Sequence, residues 1–595
     1  MTAWRKPIEA ALKKKSLISI LVSGGHKSLE SQRGEAATKV ARASLPAVSP
    51  TSSRQGLEGS LRWRIGNPRY GRLEVCATRI KAAFGFMKLI NCARIVVGMF
   101  ALLSCRNAFS EGNAVGQFES QTGVGSPKLN GSALYDEASQ IYTISGAGSN
   151  MWFGRDEFHF VWKKMKGDFI VRTRMAFIGK GAVAHRKGGW MARPNLEADA
   201  AYVDCAEHGD GLTSLQFRRA AGSNTEQVTL SITNADVLQF ERKGQSWIFS
   251  AAHFGEPFVS GELTNLDLPA ELFVGLFVCS HSAEVMEKAT FRDVRLIRPV
   301  KEGFIPYRDY IGSILEILEV ESGNLEVIHS SAQPFEAPNW TRDGAALIYN
   351  GSGRSEGRGR LFRFDLQQKK AQLINTDFAN RNNNDHVLSF DGSRLGISHH
   401  STNHSGQSAV FTVPVEGGIP KPVTTLSPSY LHGWSPDGKF LVYTGGRSGK
   451  FDIYKIPIEG GEEIRLTESK GLNDGPEYTP DGKFIYFNSS RTGMMQIWRM
   501  DPDGKGQEQV TEDEYNNWFP HVSPDGKWIA FISFPKTVDP TDHPYYKQVY
   551  IRLMPIAGGK PKVIAYVYGG QGTMNVPSWS PDSRRLAFVS NSDLE

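Results

Sequence analysis

Short runs in which apolar and polar residues alternate fill the chain between residues 111 and 299. They are bounded by Gly, Asp and Asn, as in FHFVWKKM, DFIVRTRMAFIG, LTSLQFRR and QVTLSIT. Alternation with period two places successive side chains on opposite faces of a strand. No helix-length periodic run interrupts these segments, so we predict an antiparallel β-sandwich of jelly-roll type.

A turn motif recurs six times in the second half of the chain. Its copies are WTRDG, LSFDG, WSPDG, YTPDG, VSPDG and WSPDS, with the aspartates at positions 343, 391, 437, 481, 525 and 582. Pro sets φ at the second turn position, Asp bonds its own backbone, and Gly supplies a positive φ. The aspartates lie 44 to 57 residues apart, which is typical of a four-stranded propeller blade.

The sixth turn lacks a complete set of following strands. Residues 310–330, YIGSILEILEVESGNLEVIHS, have the pattern of a third and a fourth strand without a preceding pair. We expect the last blade to combine these two strands with two strands from the C-terminal end, which leaves no exposed sheet edge. The predicted fold class is all-β: a β-sandwich followed by a six-bladed β-propeller closed in this way.

Two family resemblances agree with this prediction. The SPDG-type repeats resemble the TolB-like propeller family over about residues 307–595, and the segment from Met151 to Met175 resembles the opening strands of concanavalin-like, laminin-G-type jelly rolls. They imply a sandwich at 111–300, a linker at 301–309 and a propeller at 310–595. TolB-like scaffolds serve binding proteins, peptidase gates and lyases, so the fold alone selects no activity.

Residues 1–86 carry the positive charge of the chain. They hold 16 Lys and Arg against five Glu and no Asp, whereas the remaining residues hold 52 basic and 57 acidic side chains. A nucleic-acid partner needs basic residues on the folded part, so we expect none. Because 1–86 show no period of 3.6 or 2, we expect a disordered extension; untranslated upstream sequence and a transit peptide are the alternatives.

Residues 87–110 have the pattern of a secretory signal peptide. Basic residues stand near Met87, an apolar run too short to span a membrane follows, and small residues precede Glu111. We predict export to the periplasm, the outer envelope or the medium without a transmembrane span. The segment before Cys105 resembles a bacterial lipobox, so a lipid anchor there is an alternative.

Only two of the five cysteines, Cys205 and Cys279, lie in the predicted folded part. The fold therefore does not depend on a disulfide framework. Both residues stand in apolar strand-like runs, where a buried free thiol is expected. A disulfide between them is the alternative.

The loops that precede the six turns lead into the innermost strand of each blade. Such loops form the mouth of the central channel, where propellers bind their partners. We therefore predict a ligand site at this mouth. Its candidate residues are Asn339, His386, His432, Glu477, Trp518, His521 and Asn575.

A metal site is one interpretation of this mouth. His386, His432, His521 and Glu477 could hold a divalent metal such as Mn or Ca. This arrangement is similar to oligogalacturonate lyases, whose TolB-like propeller holds manganese with mouth histidines and abstracts a proton next to a uronate carboxylate. The alternative is a polar lining without metal, because His386 and His432 stand one residue further from their turns, which reverses a side chain on a strand.

No nucleophile, P-loop or dinucleotide motif with a suitable context occurs in the sequence. We therefore predict a secreted or envelope-associated binding or scaffold protein, whose propeller mouth and sandwich bind a polysaccharide or an envelope protein. The alternative is a metal-dependent enzyme acting on an acidic saccharide, with Arg381, Arg447 or Arg491 pairing substrate carboxylates. Segment 534–550, with Tyr545 and Tyr546 expected to be exposed, is a candidate contact loop.

Overall fold

The computed structural model describes residues 114–305, 308–351 and 359–594, and these residues belong to one compact unit. The predicted extension at 1–86 and the predicted signal peptide at 87–110, with Cys105, lie outside the described residues. Among the described residues the structure is built from strands, apart from a 3₁₀ turn at Thr402–His404. None of the described residues forms a helix long and apolar enough to cross a membrane.

The first part of the fold contains two antiparallel sheets of seven strands each. In chain order their strands are β1 (Ser120–Val124), β2 (Ser132–Asp136), β3 (Ile141–Gly148), β4 (Phe158–Lys166), β5 (Phe169–Phe177), β6 (Lys187–Arg193), β7 (Tyr202–His208), β8 (Leu212–Arg218), β9 (Glu226–Thr233), β10 (Val237–Lys243), β11 (Ser246–Ala252), β12 (Val259–Leu263), β13 (Glu271–Cys279) and β14 (Ser282–Ile297). One sheet has the order β1-β4-β13-β6-β7-β8-β9, and the other has the order β12-β11-β10-β5-β14-β3-β2.

The two sheets share one hydrophobic core. Trp190 and Leu215 enter it from the first sheet, and Phe240 and Phe291 enter it from the second. The expected antiparallel strands are therefore present, while the likeness to concanavalin-like jelly rolls stays a prediction. Cys205 and Cys279 are buried free thiols, as the apolar surroundings indicated.

The second part of the fold is a six-bladed propeller. In chain order its strands are β15 (Gly312–Glu319), β16 (Asn324–Ser331), β17 (Phe335–Trp340), β18 (Ala346–Gly351), β19 (Arg360–Asp365), β20 (Lys370–Ile374), β21 (Asn382–Leu388), β22 (Arg394–His400), β23 (Ser408–Pro414), β24 (Lys421–Pro422), β25 (Ser429–Trp434), β26 (Phe440–Arg447), β27 (Lys450–Pro457), β28 (Ile464–Arg465), β29 (Asn473–Tyr478), β30 (Ile485–Ser489), β31 (Gln496–Met500), β32 (Glu508–Gln509), β33 (Asn516–Val522), β34 (Trp528–Phe534), β35 (Lys547–Pro555), β36 (Lys562–Gly569) and β37 (Arg585–Ser592).

Five blades are four-stranded sheets of consecutive strands, and the sixth closes the ring. Its sheet has the order β16-β15-β37, and a bridge between Trp579 and Leu586 adds the innermost segment. The blade thus joins two N-terminal strands to two C-terminal segments. This arrangement confirms the six-bladed ring and the predicted closure.

The repeated turn is held by its own side chains. In the WSPDG copy, the Ser435 hydroxyl donates to Asp437 Oδ1 over 2.7 Å and accepts from the Phe440 N–H at 2.9 Å. The Lys439 N–H donates to the same carboxylate oxygen, and Gly438 has a φ of 70°. Ser or Thr bonds the turn aspartate in every blade, so each turn forms from local sequence.

The sandwich and the propeller are joined by a buried interface. The Arg295 guanidinium on β14 lies 2.6 Å from Glu316 Oε2 on β15, and both side chains are buried. Next to the interface, the Tyr566 hydroxyl donates to the Glu256 carbonyl over 2.7 Å. Phe304, in the predicted linker, packs against a hydrophobic cluster that contains Ile297 of the sandwich and Tyr546 of the propeller. Both parts therefore form one continuous packed structure.

Candidate functional site

The central channel of the propeller has two ends, each with a cavity. The innermost strands begin at one end, which we call the upper mouth, and reach the six turns at the other end, the lower mouth. The upper cavity has a volume of about 360 Å³ and is lined by residues such as Asp385, Tyr430 and Asp474. The lower cavity has a volume of about 140 Å³ and is lined by residues such as Trp434 and Tyr478.

The seven predicted site residues are divided between these ends. His432 and Asn575 line the upper cavity. Asn339 and Glu477 line the lower cavity. The side chains of the other three, His386, Trp518 and His521, line neither cavity.

The division has a local cause in the innermost strands. The pairing register of these strands shifts near their middle, for example between Leu431 and Gly433 and between Asp474 and Glu477. A shift of one residue moves a side chain to the opposite face of a strand. Residues at similar distances from their turns therefore reach different ends of the channel.

Two of the predicted histidines are bonded within the channel wall. The ring nitrogens of His386 lie 3.0 and 3.1 Å from the carbonyl oxygens of Asn384 and Ile348. His521 Nδ1 lies 2.6 Å from the Glu477 carboxylate, and its Nε2 lies 3.1 Å from the Met574 carbonyl oxygen. These contacts connect neighbouring blades and place an acceptor oxygen beside both nitrogens of each ring.

The four candidate metal ligands are not gathered at one point. Glu477 and His521 are in contact, whereas His432 pairs with Asp474 and His386 bonds backbone oxygens. Within the part of the chain that the structure describes, no group of three His, Cys, Asp or Glu side chains is arranged to hold a metal ion. Metal binding stays a prediction that rests on the resemblance.

The Asp474 carboxylate is one of the two carboxylates that line the upper cavity. Its Oδ1 accepts hydrogen bonds from the Thr444 hydroxyl at 2.6 Å and from the Gly475 N–H at 2.8 Å, and lies 3.3 Å from His432 Nε2. Its Oδ2 has no donor within hydrogen-bonding distance among the described residues; His543 Nε2 is 3.9 Å away, and burial lowers the pKa of this histidine. Burial raises the pKa of Asp474, but His432, His543 and Thr444 lower it further, to about 2. Asp474 is therefore ionised.

Asp385 is the second carboxylate of the upper cavity. Its two oxygens accept hydrogen bonds from the Asn575 amide at 3.2 Å and from the Asn383 amide at 2.8 Å. Burial raises the pKa of Asp385 to about 6, with His432 opposing and Asp474 reinforcing the shift. Although burial opposes it, both carboxylates raise the pKa of His432.

Aromatic rings form the rest of the upper cavity. The His432 ring stacks on Phe519 at a centroid distance of 5.8 Å, and Tyr430 and Phe451 complete the wall. Among the described residues, neither lysine nor arginine lines this cavity. The site therefore combines apolar faces with carboxylates that no cationic side chain of the cavity wall neutralises fully.

Segment 534–550 contributes to the upper mouth in a way that differs from the expectation. Tyr546 is buried, and its hydroxyl accepts from the Ile311 N–H. Tyr545 is partly buried and donates to Glu336 over 2.8 Å. The prediction of two exposed tyrosines is wrong, because these rings fill the space between the last blades and the N-terminal strand pair. His543 of the same segment lines the upper cavity.

Sequence reasoning missed Asp385, Asp474 and His543. Asp385 and Asp474 stand six and seven residues before their turn aspartates, so counting further back along each repeat would have found them. His543 has no counterpart in the repeats, because it belongs to an insertion. Only the tertiary structure brings it against Trp518, with ring centroids 4.5 Å apart.

Two of the three arginines of the alternative hypothesis are engaged within the propeller, whereas Arg381 is exposed. Arg447 donates to both oxygens of Glu463, over 2.8 and 2.7 Å. Arg491 donates to Gln507 and Asn473. These two arginines hold hairpin loops, and neither lines one of the two channel cavities.

Comparison with known proteins agrees with this architecture. The family model of the TolB beta propeller domain matches residues 429–540. An uncharacterized protein of Agrobacterium fabrum is 44% identical over 278 residues, which are 47% of this chain and 92% of the relative. The chain belongs to the TolB-type β-propeller family.

Solved structures extend the comparison of this TolB-type chain. A candidate TolB from Agrobacterium tumefaciens is 43% identical and covers 48% of this chain and 99% of its own, with a TM-score of 0.45. An oligogalacturonate lyase in complex with manganese is 13% identical and covers 46% of this chain and 70% of its own, with a TM-score of 0.30. That distant likeness carries no argument for lyase activity.

Proposed function

We propose that this TolB-type protein is a binding protein of the cell envelope that takes a basic segment of a protein partner into the upper mouth of its propeller. The observation that carries the proposal is the Asp474 carboxylate, which is ionised, lines the cavity and keeps its Oδ2 without a hydrogen-bond donor among the described residues. A lysine or arginine side chain supplies the missing donor and charge.

The size and lining of the cavity support a side chain as the ligand. A volume of about 360 Å³ is at the small end of the range for ligand pockets. The stems of lysine and arginine are apolar and pack against rings such as Tyr430 and Phe519, while their cationic ends reach the carboxylates. The predicted residues His432 and Asn575 belong to this site.

Neutralising the two mouth carboxylates is expected to weaken the binding of a short lysine peptide by about tenfold or more. The double variant Asp385→Asn, Asp474→Asn keeps the shapes of both side chains but removes the charge-assisted bonds, each of which contributes roughly 1.5–3 kcal/mol. Fluorescence anisotropy of a labelled lysine peptide measures the change, with a glutamate peptide as the negative control.

A matched double variant controls for net charge. Glu459→Gln, Glu462→Gln removes two exposed carboxylates of an outer hairpin, and neither residue lines a channel cavity. We expect it to bind the lysine peptide as the unmodified protein does. Equal losses in both double variants would show non-specific attraction and contradict the proposal.

The affinity for the lysine peptide is expected to rise between pH 5 and pH 7. Asp385 has a pKa raised to about 6 by burial, so it becomes negatively charged over this range. Loss of the His432 proton at higher pH makes the cavity more negative and acts in the same direction. Titration of the Asp385→Asn variant is the control: the step with a midpoint near 6 should disappear. A pH profile unchanged by this substitution would contradict the assignment.

The location and the sandwich are part of the same proposal. Residues 87–110 act as a signal peptide that delivers the protein to the periplasm or the outer envelope, with a lipid anchor at Cys105 as the alternative. The sandwich, with bounds at 111–300 and a concanavalin-like connection, adds a second contact to the partner or to an envelope polysaccharide. The match to the TolB propeller family supports this location.

A further inference from the structure

The lower cavity differs in chemistry from the upper cavity. Trp340, Trp434, Tyr478 and Trp579 stand at the same position of their repeats, three residues before the turn aspartate, and all four line it. Each is at most 5% exposed. The volume of the lower cavity, about 140 Å³, is close to the ~150 Å³ of an apolar cavity that accepts benzene in another protein. The space therefore fits one aromatic ring.

Two residues of the lower mouth, Arg342 and Phe390, depart from the repeat. The position before the turn aspartate is Pro in four blades, at 436, 480, 524 and 581, where proline sets the turn conformation. The first blade carries Arg342 there, and Arg342 lines the cavity. Loss of a residue that stabilises the turn is a departure of the kind expected at functional positions.

The Arg342 guanidinium has donors left for a ligand. Its Nε donates to the Ser389 carbonyl over 3.1 Å, and the group lies over the Phe390 ring at 5.1 Å. The terminal nitrogens have no hydrogen-bond partner among the described residues. Arg342 is exposed at the rim of the cavity, so its terminal nitrogens are accessible to a ligand. Burial of part of the group lowers the pKa of Arg342, and the carboxylates of Glu477 and Asp391 oppose this shift.

The other charged group of the lower cavity is already satisfied. Glu477 accepts from Val522 N–H over 3.1 Å and contacts His521 at 2.6 Å, so both of its oxygens are used. The indole N–H of Trp340 is buried without a partner among the described residues, whereas those of Trp434 and Trp579 donate to carbonyl oxygens. The free polar groups of this wall are therefore donors.

We infer that the lower mouth is a second binding site, which takes a small aromatic monocarboxylate. The ring enters the cavity between the tryptophans, and the carboxylate pairs with the terminal nitrogens of Arg342 at the rim. A guanidinium binds a carboxylate through two parallel hydrogen bonds, which orients the ligand. This site lies at the opposite end of the channel from the proposed peptide site and is independent of it.

Calorimetric titration with phenylacetate tests the inference. We expect a dissociation constant of about 1 mM or tighter for phenylacetate, at least tenfold weaker binding of phenylacetamide, and no measurable binding of acetate. The amide keeps the ring and loses the charge, and acetate keeps the charge and loses the ring.

The variant Arg342→Pro assigns the site to this residue. It introduces the residue that four other blades carry, so the turn is retained while the guanidinium is removed. We expect phenylacetate to bind this variant as weakly as phenylacetamide does, with phenylacetamide binding unchanged. Arg394→Gln, which removes an exposed arginine of the neighbouring blade outside the cavity, should bind phenylacetate normally.

Three results would overturn the inference. They are equal binding of phenylacetate and phenylacetamide, unchanged phenylacetate binding in Arg342→Pro, and absence of phenylacetate binding. The double variant Asp385→Asn, Asp474→Asn separates the two ends of the channel. It should bind phenylacetate normally, and a loss there would place the ligand in the upper cavity instead.

Discussion

A chain shortened to begin at Phe335 is expected to be insoluble or molten. It lacks β15 and β16, and β15 pairs along its whole length with β37. Leu315 and Leu318 of β15 are at most 1% exposed, so their loss opens two blade contacts as well as a sheet edge. At about 25 cal/mol per Å², a few hundred Å² of lost burial is comparable with the roughly 5–15 kcal/mol that stabilises a domain.

The matched comparison is a chain that begins at Lys301 and keeps both strands. We expect it to show a single cooperative thermal transition, measured by near-ultraviolet circular dichroism. Equal, sharp transitions in the two chains would show that closure does not depend on β15 and β16. If both chains fail to fold, variants of the intact protein supply the test. We expect Leu315→Ala to lower the free energy of unfolding by about 2–5 kcal/mol. Leu373 is 43% exposed, so Leu373→Ala should lower it far less.

Replacing Asp156 with Asn is expected to lower the free energy of unfolding by about 3–5 kcal/mol. Its carboxylate lies 2.7 Å from Arg218 and 3.4 Å from Arg193, and none of the three side chains is exposed. The variant leaves two buried guanidinium groups without a counter-charge. Urea unfolding followed by tryptophan fluorescence measures the loss.

The effect of Asp156 extends to the loops around it. Arg218 donates to the carbonyl oxygens of Ala200 and Ser223, and Arg193 donates to that of Asn195, so the cluster holds three loops over the first sheet. Glu157→Gln is the control, because the Glu157 side chain is partly exposed and, among the described residues, accepts hydrogen bonds from the nearby Ser149 alone. A loss for Asp156→Asn no larger than for the control would mean that the loops are held by other contacts.

The candidate sites show how many cavity residues can be predicted from the sequence repeats. Taking candidates from the loops that precede the turns identified His432 and Asn575, which line the upper cavity, and Glu477, which lines the lower one. It could not separate the two ends, because register shifts inside the innermost strands are not visible as a change in hydrophobic pattern. The strand β6 is buried on both faces and shows no alternation, because Met191 on one of its faces packs against Met151 and Leu196, which lie outside the strands.

The strands, the six turns and the closure of the ring were determined by the sequence alone. Each depends on short-range chemistry: alternation within a strand, and Ser or Thr, Asp and Gly bonding within one turn. The tertiary structure decided which charged and polar side chains share the upper cavity. Asp385 and Asp474 come from two different blades, and His543 comes from an insertion. The tertiary structure also decided that Arg342 lies at the rim of an aromatic cavity. The physical reason is that the charge state and burial of these side chains depend on residues distant in the chain. A local sequence pattern contains no information about those residues.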